Sequence, residues 1–213
     1  EAMGVDAYKG TTRKSGSRYV WTGRFNLNPN VLEQPIAWKK PRRIFANSMS
    51  DLFQDGVPDN FIKSVWEVMA QAPQHQFQIL TKRPDNMARL VKSLKLRKLS
   101  NVWLGTSIES ADVLHRLDDL KKVPAAIRFI SFEPLLGSVG KLKLKGIDWA
   151  IVGGESGPHA RPMNAVWVDE IHHQCDAQGV AFFFKQWGGA NKKAAGRTYR
   201  GRTWDQFPVQ LSA

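Results

Sequence analysis

The chain has 213 residues, 42% hydrophobic and 23% charged, proportions that fit one soluble globular domain and exclude a disordered or collagen-like class. Lys and Arg number 31 against 19 acidic residues, a formal charge of +12, so the field attracts polyanions: nucleic acid, or a phosphate-bearing substrate. Cys175 is the only cysteine, which excludes a disulfide framework or a multi-cysteine metal site within this chain and points to a cytoplasmic setting.

The basic excess is uneven. Residues 1–43 hold nine basic and three acidic side chains, 82–99 hold seven basic against Asp85, and 185–202 hold six basic and no acidic ones. A solvated basic surface is the competing reading of each cluster. No apolar stretch approaches the ~20 residues that span a bilayer, and no secretory signal opens the chain, so no membrane partner is expected.

In chain order, 1–43 reads as an irregular basic opening segment with one short helix near 30–38. A strand is expected at 43–47, and Pro58-Asp59 marks a helix start before FIKSVWEVMAQA, whose Phe61, Ile62, Val65, Val68 and Met69 share one face. The strand FQILT follows, then the helical DNMARLVKSLKL (85–96) and the strand VWLGTS. SADVLHRLDDLKK (110–122), with Ser110 as N-cap, reads as a helix feeding IRFISF. The connection 135–148 alternates Leu with Lys and reads as an exposed strand or arm. NAVWVDEIHHQCDAQG (164–179) is a helix ending at Gly179, and VAFFF is the last strand.

Strands alternating with helices argue for a parallel sheet with crossovers, within one domain over 1–213. Six apolar runs each end in polar, charged or glycine residues: IFANSMSD, FQILTKRP, VWLGTSIE, IRFISFEP, WAIVGGES and AFFFKQWG. An open doubly wound sheet concentrates its site at one switch point, whereas a barrel uses the C-terminal ends of all its strands, so a partial TIM-type (β/α) barrel of about six parallel strands is expected.

The strand ends supply the candidate chemistry. Asp51, Glu109, Glu133 and Glu155 are carboxylates able to bind a cation or act as acid and base; a loop cap, or an ion pair with Arg83 or Lys185, is the alternative for each. Lys82, Arg83 and Lys185 suit a phosphate or carboxylate group, and Lys185, ending an apolar run, also suits general-base or Schiff-base chemistry. Gly153 and Gly154 allow close approach of a ligand to backbone, with Glu155 beside them. The spacing matches neither a Walker loop nor a dinucleotide fingerprint. His172 and His173 lie in no metal-binding spacing, Cys175 reads as an apolar packing residue, and Trp187 and Trp204 are candidates for base stacking or for packing.

The strings NSMSDLFQDGVPDNFI, APQHQFQILTKRPDNM, NVWLGTSIE, IRFISFEPLLG, WAIVGGESGPHARPM, CDAQGVAFFFKQWG and GRTWDQFP, in this order over about 20–208, resemble the phage-encoded three-cysteine-motif family. That family is a domain of unknown function grouped with radical-SAM-like barrels. The resemblance implies an opening segment of the type GCxxxSxGCxxCYAE, whose thiolates would hold a [4Fe-4S] cluster that binds S-adenosylmethionine. Glu1-Ala2-Met3 resemble the residues immediately C-terminal to such a string, and the three cysteines are absent, so the chain reads as an N-terminally truncated fragment or a degenerate member with no cofactor of its own. On this resemblance Gly153, Gly154 and Glu155 would receive the cofactor's amino-acid part, and Asp51, Lys82, Arg83, Glu109, Glu133 and Lys185 would face the substrate. A radical-SAM-like enzyme acting on nucleic acid or another phosphate-bearing substrate, and a non-catalytic nucleic-acid-binding accessory protein, are the two functional expectations.

Overall fold

A computed structural model describes residues 9–16, 18–47 and 50–209. It opens with an antiparallel hairpin, β1 (Thr12–Ser15) and β2 (Arg18–Trp21), followed by a 3-10 turn at Pro29–Val31 and α1 (Gln34–Ala37). The short helix lies where the sequence places it, but the rest of the opening segment is not irregular. The expectation over 1–43 is corrected by the hairpin, because Gly16 at φ 60° lets the chain reverse between two runs of extended residues. Residues 1–8 of that segment lie outside the described ones.

Six parallel strands follow: β3 (Arg43–Ala46), β4 (Gln76–Thr81), β5 (Val102–Ser107), β6 (Ile127–Phe132), β7 (Trp149–Gly153) and β8 (Ala181–Gln186). They pair in sequence order, β3-β4-β5-β6-β7-β8, with no reversal. A doubly wound sheet needs a reversal; successive crossovers in one direction instead keep every helix on one face and curl the sheet into a half-barrel.

Strand periodicity separates two cores. On the helix side, Phe77, Ile79, Val102, Leu104, Ile130, Phe132, Ala150, Val152, Phe182 and Phe184 join α2 (Asp59–Gln71), α3 (Pro84–Ser93), α4 (Arg116–Lys121) and α5 (Ala165–Ala177). From α2 the side chains of Ile62, Val65, Trp66, Val68 and Met69 are buried, each large apolar one contributing about 1.5–3 kcal/mol. On the concave side Trp103, Ile127, Phe129 and Trp149 form a second cluster with Leu80, Ile151, Phe183 and Phe207.

Two connections depart from expectation. Residues 110–122 do not make one helix: a 3-10 turn (Ala111–Val113) precedes α4, and the Ser110 hydroxyl donates to Asp112 rather than capping. The segment 135–148 is not a strand, and only one side of it is exposed. Its Leu142 and Leu144 are 2% and 1% accessible, because Gln174 on α5 and Gln178, the residue that caps it, hold its backbone. Leu142 N donates to Gln174 Oε1 (2.6 Å), Leu144 N to Gln178 Oε1 (2.8 Å), and Gln178 Nε2 returns a bond to Leu142 O (3.1 Å). This extended segment fills the place of the crossover helix between β6 and β7, burying leucines and leaving lysines outside.

Beyond β8, a short helix α6 (Lys192–Ala195) leads to a tail that covers the sheet edge. Phe184 N donates to Trp204 O (2.9 Å) and Gln206 N to Phe182 O (3.3 Å), so an otherwise open edge is paired. Phe207 then turns into the concavity, 4.9 Å from the Trp149 ring, and the Arg43 guanidinium of β3 stands 4.1 Å over it. First strand and tail thus meet across the concavity, and its N-terminal end is floored by aromatic rings. Among the described residues no helix is long and apolar enough to cross a membrane.

Candidate functional site at the mouth of the half-barrel

Lys82, Glu109, Glu133, Gly153 and Lys185 continue the concave-face register of β4 to β8 at the C-terminal ends, above the aromatic floor. The sheet thereby groups them into two ion-pair sets. In the first, Glu109 contacts the Lys82 ammonium through Oε1 and accepts from Arg116 Nη1 through Oε2 (2.9 Å). Arg116 also donates to Ser107 O (2.9 Å), which fixes the guanidinium to the strand end. In the second, Lys185 Nζ donates to Glu133 Oε2 (2.9 Å), joining β8 to β6 over β7.

That span explains Gly153. A Cβ there would lie 3.2 Å from the Glu133 carboxyl carbon, so the glycine makes the room in which the carboxylate sits. Gly154 answers a different demand: its Cβ would fall 2.0 Å from Trp187 O, and its amide donates to Gln186 O (3.0 Å). The pair of glycines lets the β7 and β8 loops pack backbone to backbone, and the amide of Gly154 is already engaged.

The other predicted residues serve local brackets. Asp51 accepts from Thr81 Oγ1 (2.8 Å), Phe53 N (3.0 Å) and Arg83 Nη1 (3.0 Å), which ties the loop after β3 to the end of β4 and takes Arg83 with it. Glu155 accepts from Arg161 Nε (2.8 Å) and Arg161 N (2.9 Å) within its own loop. The Arg161 side chain, then its backbone amide, hold the Glu155 carboxyl down at about 2. The Glu133–Pro134 peptide is cis, and the turn it begins is anchored by Leu135 N to Gly153 O (2.9 Å) and Leu136 N to Glu109 O (2.9 Å).

Solvent access differs within the ion pairs. The lysine side chains are 56% and 53% accessible, whereas those of Glu109, Glu133 and Arg116 are 13%, 22% and 17%. A pair with a half-exposed lysine contributes about 0–1 kcal/mol to stability. Arg116 was not legible as part of the site: it lies seven positions beyond Glu109, where only the 3-10 turn brings the chain back.

The remaining singled-out residues pack. Trp204 lies 4.1 Å from His172 and Trp187 lies 4.8 Å from Phe184, with indole nitrogens bonded to Tyr199 O and Thr198 O. Cys175 is fully buried on α5, where burial pushes its thiol up to about 12. Among the described residues no group of three His, Cys, Asp or Glu side chains has metal-holding geometry.

No curated protein and no solved structure matches the chain. The profile of one family, described as "Protein of unknown function (DUF5131)", matches residues 2–208, nearly the whole length, and the chain belongs to that family.

Proposed function

We propose that the mouth of the half-barrel is a binding and reaction site for a phosphate-bearing ligand, held by Lys82 and Lys185. The observation that carries this reading is the pairing of two half-exposed ammonium groups with two largely covered carboxylates on one concave rim. Phosphate competes well for such ammonium groups, since it is multiply charged and they give up only a weak surface pair. The net charge of +12 adds long-range attraction.

Displacement affects the two carboxylates differently. Glu109 keeps Arg116, so it stays fixed in place, suited to orienting a ligand group. Glu133 gives up Lys185 and becomes an unpaired carboxylate beside the ligand, suited to accepting a proton from a hydroxyl or amine at its Oε2. The aromatic floor excludes water beneath the rim.

The resemblance to phage-encoded, radical-SAM-like proteins would add a cluster and S-adenosylmethionine as the source of the chemistry. The donors present do not fit that group: the one thiol is buried on α5, held protonated and facing the helix-side core. Calorimetric titration with inorganic pyrophosphate tests the reading. The wild type should bind, and Lys82→Ala with Lys185→Ala should abolish binding while leaving the unfolding midpoint nearly unchanged; unaltered affinity in the double variant removes the mouth as the phosphate site.

A further inference from the structure

The β1–β2 hairpin projects two aromatic rings into solvent. Tyr19 and Trp21 are 63% and 62% accessible, although burial of such rings ordinarily dominates core and interface energetics. Register explains why both are exposed together. Thr12 pairs with Trp21 and Lys14 with Tyr19, and side chains two apart on a strand share a face, so Tyr19, Trp21, Lys14 and Thr12 stand on one side. Val20, half-buried, points to the other.

We infer that this face is a stacking platform for an unpaired nucleic-acid strand, with Tyr19 and Trp21 each taking a base and Lys14 taking backbone phosphate. Charge selects this occupant over a protein surface. The sequence from Lys9 to Leu32 carries basic residues, among them Arg13, Lys14 and Arg24, and no acidic one, a local charge that matches a polyanion better than the mixed charge of a protein surface. Rings spaced two residues apart on a strand, about 6.8 Å, meet successive splayed bases, and stacking needs no base identity because every base has a π-face.

The platform is held at its base, and the chain that follows it docks at the end of the sheet that carries the mouth. Thr22 N donates to Thr11 O (2.9 Å), Thr22 Oγ1 to Gly10 O (2.9 Å) and Asn26 Nδ2 to Lys9 O (2.9 Å), which close the stem. The chain beyond then docks on the loop after β3: Gln54 Nε2 reaches Gly23 O at 3.4 Å, and the Phe25 ring lies 3.5 Å from where Gly56 would carry a Cβ. That loop also carries Asp51 and so lies at the C-terminal end of the sheet, the same end as Lys82 and Lys185. The hairpin is therefore rooted at the same end of the sheet as the rim.

The inference rests on the phosphate reading of the mouth and names its substrate class, yet the two fail separately because the hairpin and the rim share no residue. Fluorescence anisotropy with a labelled oligonucleotide of about ten thymidines is the test. Tyr19→Ala and Trp21→Ala should each weaken binding about 5- to 150-fold, Tyr19→Phe should retain it, and a duplex of equal length should compete poorly. Lys14→Ala should flatten the dependence of log affinity on log salt by about one unit. Wild-type affinity in the two alanine variants, loss in Tyr19→Phe, or equal affinity for duplex overturns the platform. Loss of pyrophosphate binding in the lysine double variant with oligonucleotide binding retained supports both sites; unaltered pyrophosphate binding in that variant, with oligonucleotide binding still lost in Trp21→Ala, leaves only the hairpin; oligonucleotide binding lost in the lysine double variant and kept in Trp21→Ala overturns the platform.

Discussion

Gly105 should be among the least replaceable residues of the concave face, for a reason that opposes ordinary strand preference. In an unobstructed strand interior, Gly→Ala stabilises by roughly 0.5–1 kcal/mol. Here a Cβ would lie 2.5, 2.6 and 2.6 Å from three ring atoms of Phe129, its register partner on β6, where carbon contacts need about 3.5–4.0 Å. The ring must retreat by about 1 Å, but it is fully buried and the Trp149 ring stands 5.8 Å away, so it has nowhere to go without moving the floor. Overpacking of this kind costs about 1–3 kcal/mol. With a urea slope of about 2 kcal/mol per M, the midpoint for Gly105→Ala should fall by about 0.5–1.5 M at unchanged slope. Phe129→Leu removes the obstructing atoms, so adding Gly105→Ala to that variant should cost under about 0.5 kcal/mol, a coupling read from the double-mutant cycle. Equal cost in both backgrounds, or no cost in the wild type, refutes the steric argument.

Two further outcomes are expected from groups beside the site. Asp51→Ala leaves Thr81 Oγ1, Phe53 N and Arg83 Nη1 without their acceptor and should lower stability by about 1–3 kcal/mol in urea unfolding, with no effect if solvent or another group replaces it. His172 is held neutral by burial first and the nearby Arg200 charge second, so its folded pKa lies below the ordinary 6.5. The unfolded chain therefore takes up the proton first as pH falls: the contribution is complete above 6.5 and declines toward the lowered folded pKa. His172→Phe should flatten stability against pH over that window, and an unchanged slope would assign it to other groups.

Helices α2, α3 and α5 were legible because each buries one defined face, and the strands because they are short apolar runs, the central ones buried on both faces, with polar residues ending each run at the rim. The Gly179 stop was legible for the same local reason: Val180 N bonds Cys175 O and Gly179 N bonds Asp176 O, a backbone motif that requires the glycine's φ of 67°. The hairpin has a local sequence signal in Gly16, which stands between the β-rich runs TRKS and RYVW. The 135–148 segment had none. Whether alternating Leu and Lys end up exposed or docked depends on Gln174 and Gln178, some 35 positions later in the chain.

The six sheet strands in their order, the parallel class and the carboxylates and lysines that crown the strands follow from local periodicity and residue chemistry and so are written in the sequence. Tertiary structure alone decided their partnerships. Register placed Glu133 across Gly153 from Lys185 and Glu109 between Lys82 and Arg116, while Asp51 and Glu155 were drawn into loop brackets. Which like-looking carboxylate faces the mouth is set by strand alternation and sheet curvature, and those exist only once distant segments have packed.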